Sequence, residues 1–390
     1  MLLKSAKSSM RRRVPFSRRG WFIPGRRVWL VLIAMGLAPL GGCGSPSIIS
    51  SGSNSHTAYV TLPNSNAVGA LRIKVNLNGT SSTDNTVSFT TIVGSPFPAG
   101  SSPASILVHP NGQFVYVANR NENNISLFTI NSSIGSLQEV LPRTTTGLTP
   151  LSMIMDSGGN YLYVANELSS NISVYAINSS TGALSAVAGS PFTTYNNPFA
   201  LAITPSGKFL YVLNPNLTSV IVYTITSGVL KLVPGLPAQV GNVPRAIIVD
   251  PAGTFVYVAN SSDNTVSVLG INSSTGVLTL LGTFASGTTP TSLAVLDPYL
   301  YVGNQGSSNV SVFTVTPVTG VLTQITSSPF SAGVAPLFAV LDPDNLFLYV
   351  GSQTSNSITA LSIDTSTGGL TSSSESAPTS VSPAAMSVAK

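Results

Sequence analysis

From about residue 57 onward, short apolar stretches alternate with turns rich in Gly, Pro, Asn and Ser. The stretches are about five to seven residues long and enriched in Val, Ile, Leu and aromatic side chains, which is typical of β-strands. Seven of them align on one tyrosine, most often within a Tyr-Val-x-Asn pattern, at Tyr59, Tyr116, Tyr163, Tyr211, Tyr257, Tyr301 and Tyr349. Consecutive tyrosines are 44 to 57 residues apart, and such a period indicates a structural repeat.

Each repeat contains four strand-like pieces, here named A to D. Strand A follows a proline, as at Pro103, and strand B carries the aligned tyrosine. Strand C is exemplified by residues 171–177, and strand D follows a hairpin turn that ends in a glycine such as Gly182. Strands A and B are apolar on both sides, which indicates burial between two packed sheets. Four strands in about 45 residues predict one blade of a β-propeller.

The two ends of the chain complement each other. Residues 382–388 form a strand A with no strand B after it, and the first repeat has a strand B at Tyr59 with no strand A before it. We therefore predict an all-β fold, a seven-bladed β-propeller with four-stranded antiparallel blades. The C-terminal strand joins the N-terminal blade and closes the ring, which covers otherwise open sheet edges. Residues 78–85 of the first repeat are predicted to form an extended loop.

The first 43 residues have the composition of an export sequence. Nine Lys and Arg residues and no acidic residue precede position 43, and residues 28–40 form an apolar run too short to span a membrane. The run ends in Leu40-Gly41-Gly42-Cys43, which resembles the bacterial lipoprotein box. We predict a lipoprotein signal peptide at 1–42, lipidation of Cys43, a Ser/Gly-rich tether at 43–56 and the propeller at 57–390. The alternative is a free cysteine beside an uncleaved anchor, and Ser17–Phe22 leaves the choice between Sec and twin-arginine export open.

The net charge of +5 comes from this leader, because the rest of the chain carries eight Lys and Arg residues against twelve Asp and Glu residues. A nucleic-acid partner is therefore not expected, since phosphate binding needs clustered basic residues. A single cysteine allows no disulfide within the chain. The expected protein is an exported monomer, anchored by lipid on the periplasmic or outer side of the cell envelope, with a small-molecule or protein ligand at one face.

Charged residues mark one predicted end of the central channel, where the B-to-C and D-to-A loops lie. Five of them map to this face: Arg120, Glu122, Glu167, Arg245 and Asp263. An arginine and carboxylates in one site can hold an anion and move a proton. We assign Arg245 and Glu167 as candidate catalytic residues and the other three as candidate ligand-binding residues, against the alternative that these loops are merely solvated.

The remaining polar and aromatic residues have simpler expected roles. The Ser-Pro-Phe phenylalanines and one nearby tyrosine either form a binding patch or dock the D-to-A loops onto the blades (Phe97, Phe192, Phe330 and Tyr195). Turn formation accounts for the asparagines that follow the aligned tyrosines (Asn119, Asn166, Asn214, Asn260 and Asn304). It also accounts for the aspartates of the A-to-B turns (Asp156, Asp250, Asp297, Asp342 and Asp344).

No metal site and no cofactor are predicted. His56 lies in the predicted tether and His109 in an A-to-B turn, so the two histidines do not share a site with metal-ligand spacing. Calcium held by channel carbonyls stays open as an alternative. No nucleophile elbow, P-loop or dinucleotide fingerprint occurs.

The Tyr-Val-x-Asn segments resemble YVTN-type repeats, and the sevenfold pattern over residues 57–390 resembles the lactonase propeller family. That family includes 6-phosphogluconolactonase-like and muconate-cycloisomerising enzymes. Its enzymes resemble one another in a Pro-Arg-His segment that opens a strand A and an Asn-Glu-Leu segment in the same blade. This chain has Pro244-Arg245-Ala246, without the histidine, and Asn166-Glu167-Leu168 two blades earlier. The resemblance therefore implies roles for Arg245 and Glu167 only.

Two functions follow from the sequence. The first is a lipid-anchored propeller that binds a ligand or a protein partner and has an incomplete catalytic set. The alternative is a lactone-ring hydrolase, 6-phosphogluconolactonase-like, that uses Arg245 and Glu167 at the channel mouth.

Overall fold

Antiparallel β-strands make up almost all of the regular structure in the computed structural model, which describes residues 53–77 and 85–389. In the described residues the only helical segments are two 3-10 turns, Pro63–Ser65 and Pro215–Leu217. No helix in this part of the chain is long and apolar enough to cross a membrane.

The strands of the first four blades are as follows. Blade 1 contains β1 (Ser53–Leu62), β2 (Ala67–Asn76), β3 (Thr86–Thr91) and β4 (Phe97–Pro98). Blade 2 contains β5 (Pro103–Val108), β6 (Phe114–Asn119), β7 (Asn124–Ile130) and β8 (Leu137–Thr145). Blade 3 contains β9 (Pro150–Met155), β10 (Tyr161–Asn166), β11 (Asn171–Ile177), β12 (Leu184–Ala186) and β13 (Phe192–Thr193). Blade 4 contains β14 (Ala200–Ile203), β15 (Phe209–Asn214), β16 (Ser219–Thr226), β17 (Val229–Leu232) and β18 (Ala238–Gln239).

The last three blades repeat the pattern. Blade 5 contains β19 (Pro244–Val249), β20 (Phe255–Asn260), β21 (Thr265–Ile271) and β22 (Leu278–Ala285). Blade 6 contains β23 (Pro290–Leu296), β24 (Tyr299–Asn304), β25 (Asn309–Val315), β26 (Leu322–Gln324) and β27 (Phe330–Ser331). Blade 7 contains β28 (Pro336–Leu341), β29 (Phe347–Ser352), β30 (Ser357–Ile363) and β31 (Leu370–Pro378), and β32 (Met386–Ala389) returns to blade 1.

Each blade is an antiparallel sheet in the order A-B-C-D, which confirms the predicted seven-bladed propeller. The C-terminal strand closes the ring as predicted: β32 pairs with β1, with Tyr59 opposite Ser387, and the Thr61 amide donates to the Ala385 carbonyl at 2.9 Å. This pairing supplies blade 1 with its strand A and leaves no open inner edge there.

The aligned tyrosines belong to the core between blades. All seven are at most 1% exposed. Three of their hydroxyls donate to a glycine carbonyl in the C-to-D turn of the next blade: Tyr59 to Gly135, Tyr116 to Gly182 and Tyr211 to Gly276, at 2.8 to 3.2 Å. The repeated tyrosine therefore fills the space between two sheets and, at these positions, fastens one blade to the next.

The asparagines after the tyrosines are not simple turn formers, which corrects the sequence prediction. Asn119, Asn166, Asn214, Asn260 and Asn304 are each the last residue of a strand B and are fully buried. The Asn119 side-chain amide donates to Asn124 Oδ1 and Ser126 Oγ, at 2.7 and 3.0 Å, and three of the other asparagines make the equivalent bonds to strand C. A buried amide needs such partners, so these residues fix strand B against strand C.

The propeller begins earlier than predicted. Strand β1 starts at Ser53, and residues 53–56 pair with Asn76 through Ile73, so they do not belong to a tether. His56 is only 8% exposed inside this strand. The predicted signal peptide, Cys43, the tether up to residue 52 and residues 78–84 of the predicted loop lie outside the described residues.

Candidate functional site

A repeated backbone latch builds one mouth of the central channel. The residue before each strand-A proline is left-handed, with φ between 47° and 59°, in blades 2 to 7 (Ser102, Thr149, Asn197, Val243, Thr289 and Ala335). In blade 5 the Val243 carbonyl accepts the Ser261 amide at 3.1 Å, and blades 2, 3, 6 and 7 make the equivalent bond. This bond ties the D-to-A loop to the B-to-C loop, so strand A enters the channel in the same way in these five blades.

The latch places the residue after each strand-A proline around the mouth. These seven residues, one from each blade, are Ala104, Leu151, Phe199, Arg245, Thr291, Leu337 and Ala384. They line a cavity of about 610 Å³ together with the next residues of strand A. Arg245 is the only ionisable side chain among the residues that line this cavity.

Arg245 stands where the sequence predicted, as the second residue of β19. Its guanidinium carbon lies 5.1 Å from the centroid of the Phe199 ring, within the range of a cation–π contact. Its side chain is exposed, and among the described residues no carboxylate lies within ion-pair distance of it. Arg245 therefore has free hydrogen-bond donors that face the cavity.

Hydroxyl and amide groups surround Arg245 on one side. They come from blades 5 and 6 and are Ser261, Thr289, Thr291, Ser292 and Gln305. The Ser292 hydroxyl is buried and has no partner within the protein. Gln305 donates to Gln353 at 3.0 Å, which steadies it at the rim. These groups can hydrogen-bond a polar ligand, but none of them is a general base at neutral pH.

The other predicted site residues are engaged elsewhere. Glu167 lies 3.5 Å from Arg120 and not beside Arg245. Glu122 binds Arg143 at 2.6 Å, and Arg143 also binds Glu139 at 2.7 Å. The structure thus splits the five predicted charges into separate contacts and leaves Arg245 alone in the channel.

Two of the predicted ligand-binding carboxylates, Glu122 and Asp263, have lowered pKa values. Burial raises the pKa of Glu122, but hydrogen bonds from Asn124 and Ser101 and the charge of Arg143 outweigh it and lower the pKa. Asp263 accepts the backbone and side-chain N–H groups of Asn242 at 2.7 and 2.9 Å, which lowers its pKa as well. Carboxylates with lowered pKa values do not act readily as proton donors near pH 7.

The predicted aromatic patch is largely a docking device. Phe97, Phe192 and Phe330 pair with strand C of their own blades and pack, half-buried, into the cores between blades. The serine two residues earlier accepts a strand-C amide in each case, as Ser190 Oγ does from Val174 at 2.9 Å. Tyr195 stays 42% exposed, away from the channel residues.

His56 meets two aspartates on the opposite face. Its Nε2 lies 2.8 Å from Asp344 Oδ2, and donor atoms of His56, Asp342 and Asp344 lie within 4.8 Å of one another, a group able to hold a metal ion. Asp342 already accepts the amides of Leu346 and Phe347 at 2.6 and 2.7 Å. Asp342 thus makes the predicted turn contacts, whereas Asp344 joins blade 7 to β1 of blade 1.

His109 also has a structural role. It is 4% exposed, its Nε2 lies 2.9 Å from the Gly159 carbonyl in blade 3, and its Nδ1 accepts the Asn111 amide. The histidine therefore connects two neighbouring blades.

Phe199 and Gln305 line the site without having been predicted. Phe199 could have been found by comparing the residue after the strand-A proline in all seven blades, because these seven residues form a ring at the channel mouth. Gln305 occupies the position that follows strand B, where Arg120 and Glu167 also stand. From the sequence alone, Phe199 looks like an ordinary core residue and Gln305 looks like an ordinary turn residue.

Known proteins with this architecture share little sequence with the chain. A candidate 6-phosphogluconolactonase of Bacteroides fragilis is 21% identical, with a TM-score of 0.70 over 89% of this chain and 100% of that one. The periplasmic gluconolactonase PpgL of Pseudomonas aeruginosa is 19% identical, with a TM-score of 0.71 over 86% of this chain and 99% of that one. These likenesses show the fold alone. No curated protein matches the chain.

A family model matches residues 49–194, 184–295 and 292–388, which together cover the whole propeller. The model is described as lactonase, 7-bladed β-propeller. The chain belongs to the seven-bladed β-propeller lactonase family.

Proposed function

We propose that the propeller is a binding module that holds a small anionic ligand at the channel mouth. One observation carries this proposal: Arg245 is the only ionisable group of the cavity and has no carboxylate partner. A guanidinium offers paired N–H donors that match a carboxylate or phosphate. The Ser292 hydroxyl has no partner in the protein and can add a neutral hydrogen bond, whereas the Ser261 and Thr291 hydroxyls already donate to the Val243 and Pro336 carbonyls.

A binding experiment tests the role of Arg245. Anions such as acetate, gluconate and phosphate are titrated into the purified full-length protein and into Arg245→Gln, with Arg120→Gln as the matched control at the rim. Loss of a charge-assisted contact should weaken binding by about 10- to 150-fold in Arg245→Gln. Equal affinity in all three proteins, or no binding of any anion, would refute the proposal.

Lactone-ring hydrolysis is the second candidate, because membership of the lactonase family favours it. Hydrolysis of a lactone needs a group that activates water or protonates the leaving oxygen, and the residues lining the cavity include no acid, base or histidine. A panel of sugar and alkyl lactones should therefore show only the spontaneous rate. Turnover that disappears in Arg245→Gln and Glu167→Gln would establish the hydrolase instead.

We also propose that the protein is exported and anchored by lipid at Cys43. The basic and apolar leader and the small residues before Cys43 support this, and one structural neighbour is named a periplasmic enzyme. Cys43→Ala should either release the protein from the membrane fraction or leave residues 1–42 uncleaved. A membrane-bound variant of unchanged mass would contradict lipidation.

A further inference from the structure

We infer that the ligand of the channel is a monocarboxylate with an apolar body, and this rests on the anion-binding function proposed above. The seven mouth positions differ in polarity around the ring. Blades 5 and 6 supply Arg245 and Thr291, whereas the other five blades supply only alanine, leucine and phenylalanine. The ring of mouth positions is therefore polar at blades 5 and 6 and apolar at the other five blades, where Ser105 and Ser152 of strand A are the polar side chains that also line the cavity.

The apolar side continues one residue deeper. Blade 7 adds Phe338 beneath Leu337, and blade 1 adds Ala385 beneath Ala384. On blade 4 the Phe199 ring lies beside the Arg245 guanidinium, whereas Leu201 is only 6% exposed and Phe338 only 8% exposed, so these two add little surface. A ligand whose charged end contacts Arg245 can place the rest of its body against Phe199 and the leucines of the ring.

The charge of the mouth favours a single negative charge. Of the three arginines near this face, Arg120 and Arg143 are paired with carboxylates, so only Arg245 is available. Glu122 and Glu139 are paired with Arg143, and Glu167 is paired with Arg120, so these ion pairs leave no second free cation at the mouth. A dianion would bring a second negative charge without a second cation to pair with it.

A polyhydroxylated ligand fits the cavity poorly. Sugar hydroxyls need hydrogen-bond partners when they leave water, and the described walls of blades 7, 1, 2, 3 and 4 offer few. Ser105 and Ser152 are the hydroxyls there, and Ser105 already accepts the Met153 amide at 3.2 Å. An alkyl or aryl group instead gains from burial against Leu151 and Leu337.

A homologous series of carboxylates tests the inference. The affinities of butanoate, hexanoate, octanoate, gluconate and 6-phosphogluconate for the purified full-length protein are measured by calorimetry. Each added methylene should lower Kd about fourfold until the cavity is filled. Octanoate should bind more tightly than either sugar acid. Arg245→Gln should weaken the binding of every carboxylate in the series, and Leu337→Asn should reduce the dependence of Kd on chain length. Leu168 is an exposed leucine outside the cavity, so Leu168→Asn should change neither the affinities nor their dependence on chain length.

The possible failures are distinguishable. Gluconate or 6-phosphogluconate binding more tightly than octanoate, in an Arg245-dependent manner, would overturn the apolar ligand and leave the proposed anion-binding function standing. Chain-length dependence that persists unchanged in Leu337→Asn would show adsorption elsewhere and overturn the inference. If no anion binds in an Arg245-dependent manner, the proposed function itself fails.

Discussion

Two equivalent tyrosines should respond to the same substitution with opposite signs. Tyr116 and Tyr163 occupy the same position in blades 2 and 3, and both are fully buried. The Tyr116 hydroxyl donates to the Gly182 carbonyl at 2.8 Å, whereas the Tyr163 hydroxyl is buried without a partner. Replacement by phenylalanine removes only the hydroxyl, so the pair isolates the contribution of one hydrogen bond.

The difference arises from the next blade in each case. Tyr116 packs against blade 3, whose C-to-D connection spans residues 178–183 and presents the Gly182 carbonyl. Tyr163 packs against blade 4, whose strands C and D are joined by residues 227–228 alone. The described residues of blade 4 offer the Tyr163 hydroxyl no acceptor.

The expected magnitudes follow from the cost of buried polar groups. Tyr116→Phe loses a hydrogen bond and should destabilise the protein by about 1–2 kcal/mol. Tyr163→Phe removes an unpaired hydroxyl and should stabilise it by about 1 kcal/mol. Unfolding of about 330 residues has an entropy near 0.7 kcal/mol/K, so the two melting temperatures should differ by about 3–4 °C.

Thermal unfolding followed by circular dichroism and calorimetry measures the difference. Urea unfolding provides an independent estimate of the free energy of each variant. Equal destabilisation by both substitutions would mean that an ordered water satisfies the Tyr163 hydroxyl, and it would refute the reasoning.

Three further predictions concern pH and packing. Burial would raise the pKa of Asp344, but hydrogen bonds from His56 and Asn54 and the charge of His56 lower it. Its stabilising contribution is therefore present above about pH 4 and is lost as the pH falls through its folded pKa. In Asp344→Asn the urea midpoint should therefore change less between pH 3 and 6 than in the unsubstituted protein. Burial raises the pKa of the aligned tyrosines, so stability should fall as the pH rises above about 10, and most of the increase in absorbance near 295 nm should accompany unfolding. Gly241→Ala would place a Cβ 2.7 Å from Asn260 Cγ and should lower stability by about 1–3 kcal/mol in the same melts.

The repeat made the fold predictable from the sequence. The strand pattern around each tyrosine is local, and the count of strands A and B at the two ends determines how the ring closes. The start of β1 was not predictable in the same way, because Ser53 to His56 are polar and resemble a linker. Their pairing partners lie in β2, and the His56 contact with Asp344 joins residues 288 positions apart.

The candidate site was only partly predictable for a similar reason. Arg245 stands out because a charge is rare at the start of a strand A. Glu167 and Arg120 belong to neighbouring blades, one repeat apart in the sequence, so their contact becomes visible only in the three-dimensional structure. The separation in sequence between the Asn-Glu-Leu segment and Arg245 already indicated that the two lie in different blades. It did not indicate which residue is the ion-pair partner of Glu167.

The propeller separates the frame of the site from its chemistry. The latch between the loops recurs in five blades and holds strand A there in the same geometry, whatever residue follows its proline, and the buried asparagines fix strand B against strand C. A change at one of these seven mouth residues alters polarity or charge while leaving the frame intact. Solved structures only 19–21% identical to the chain share its fold. The proposed ligand binding depends instead on the seven mouth residues, among which Arg245 is the one charged side chain.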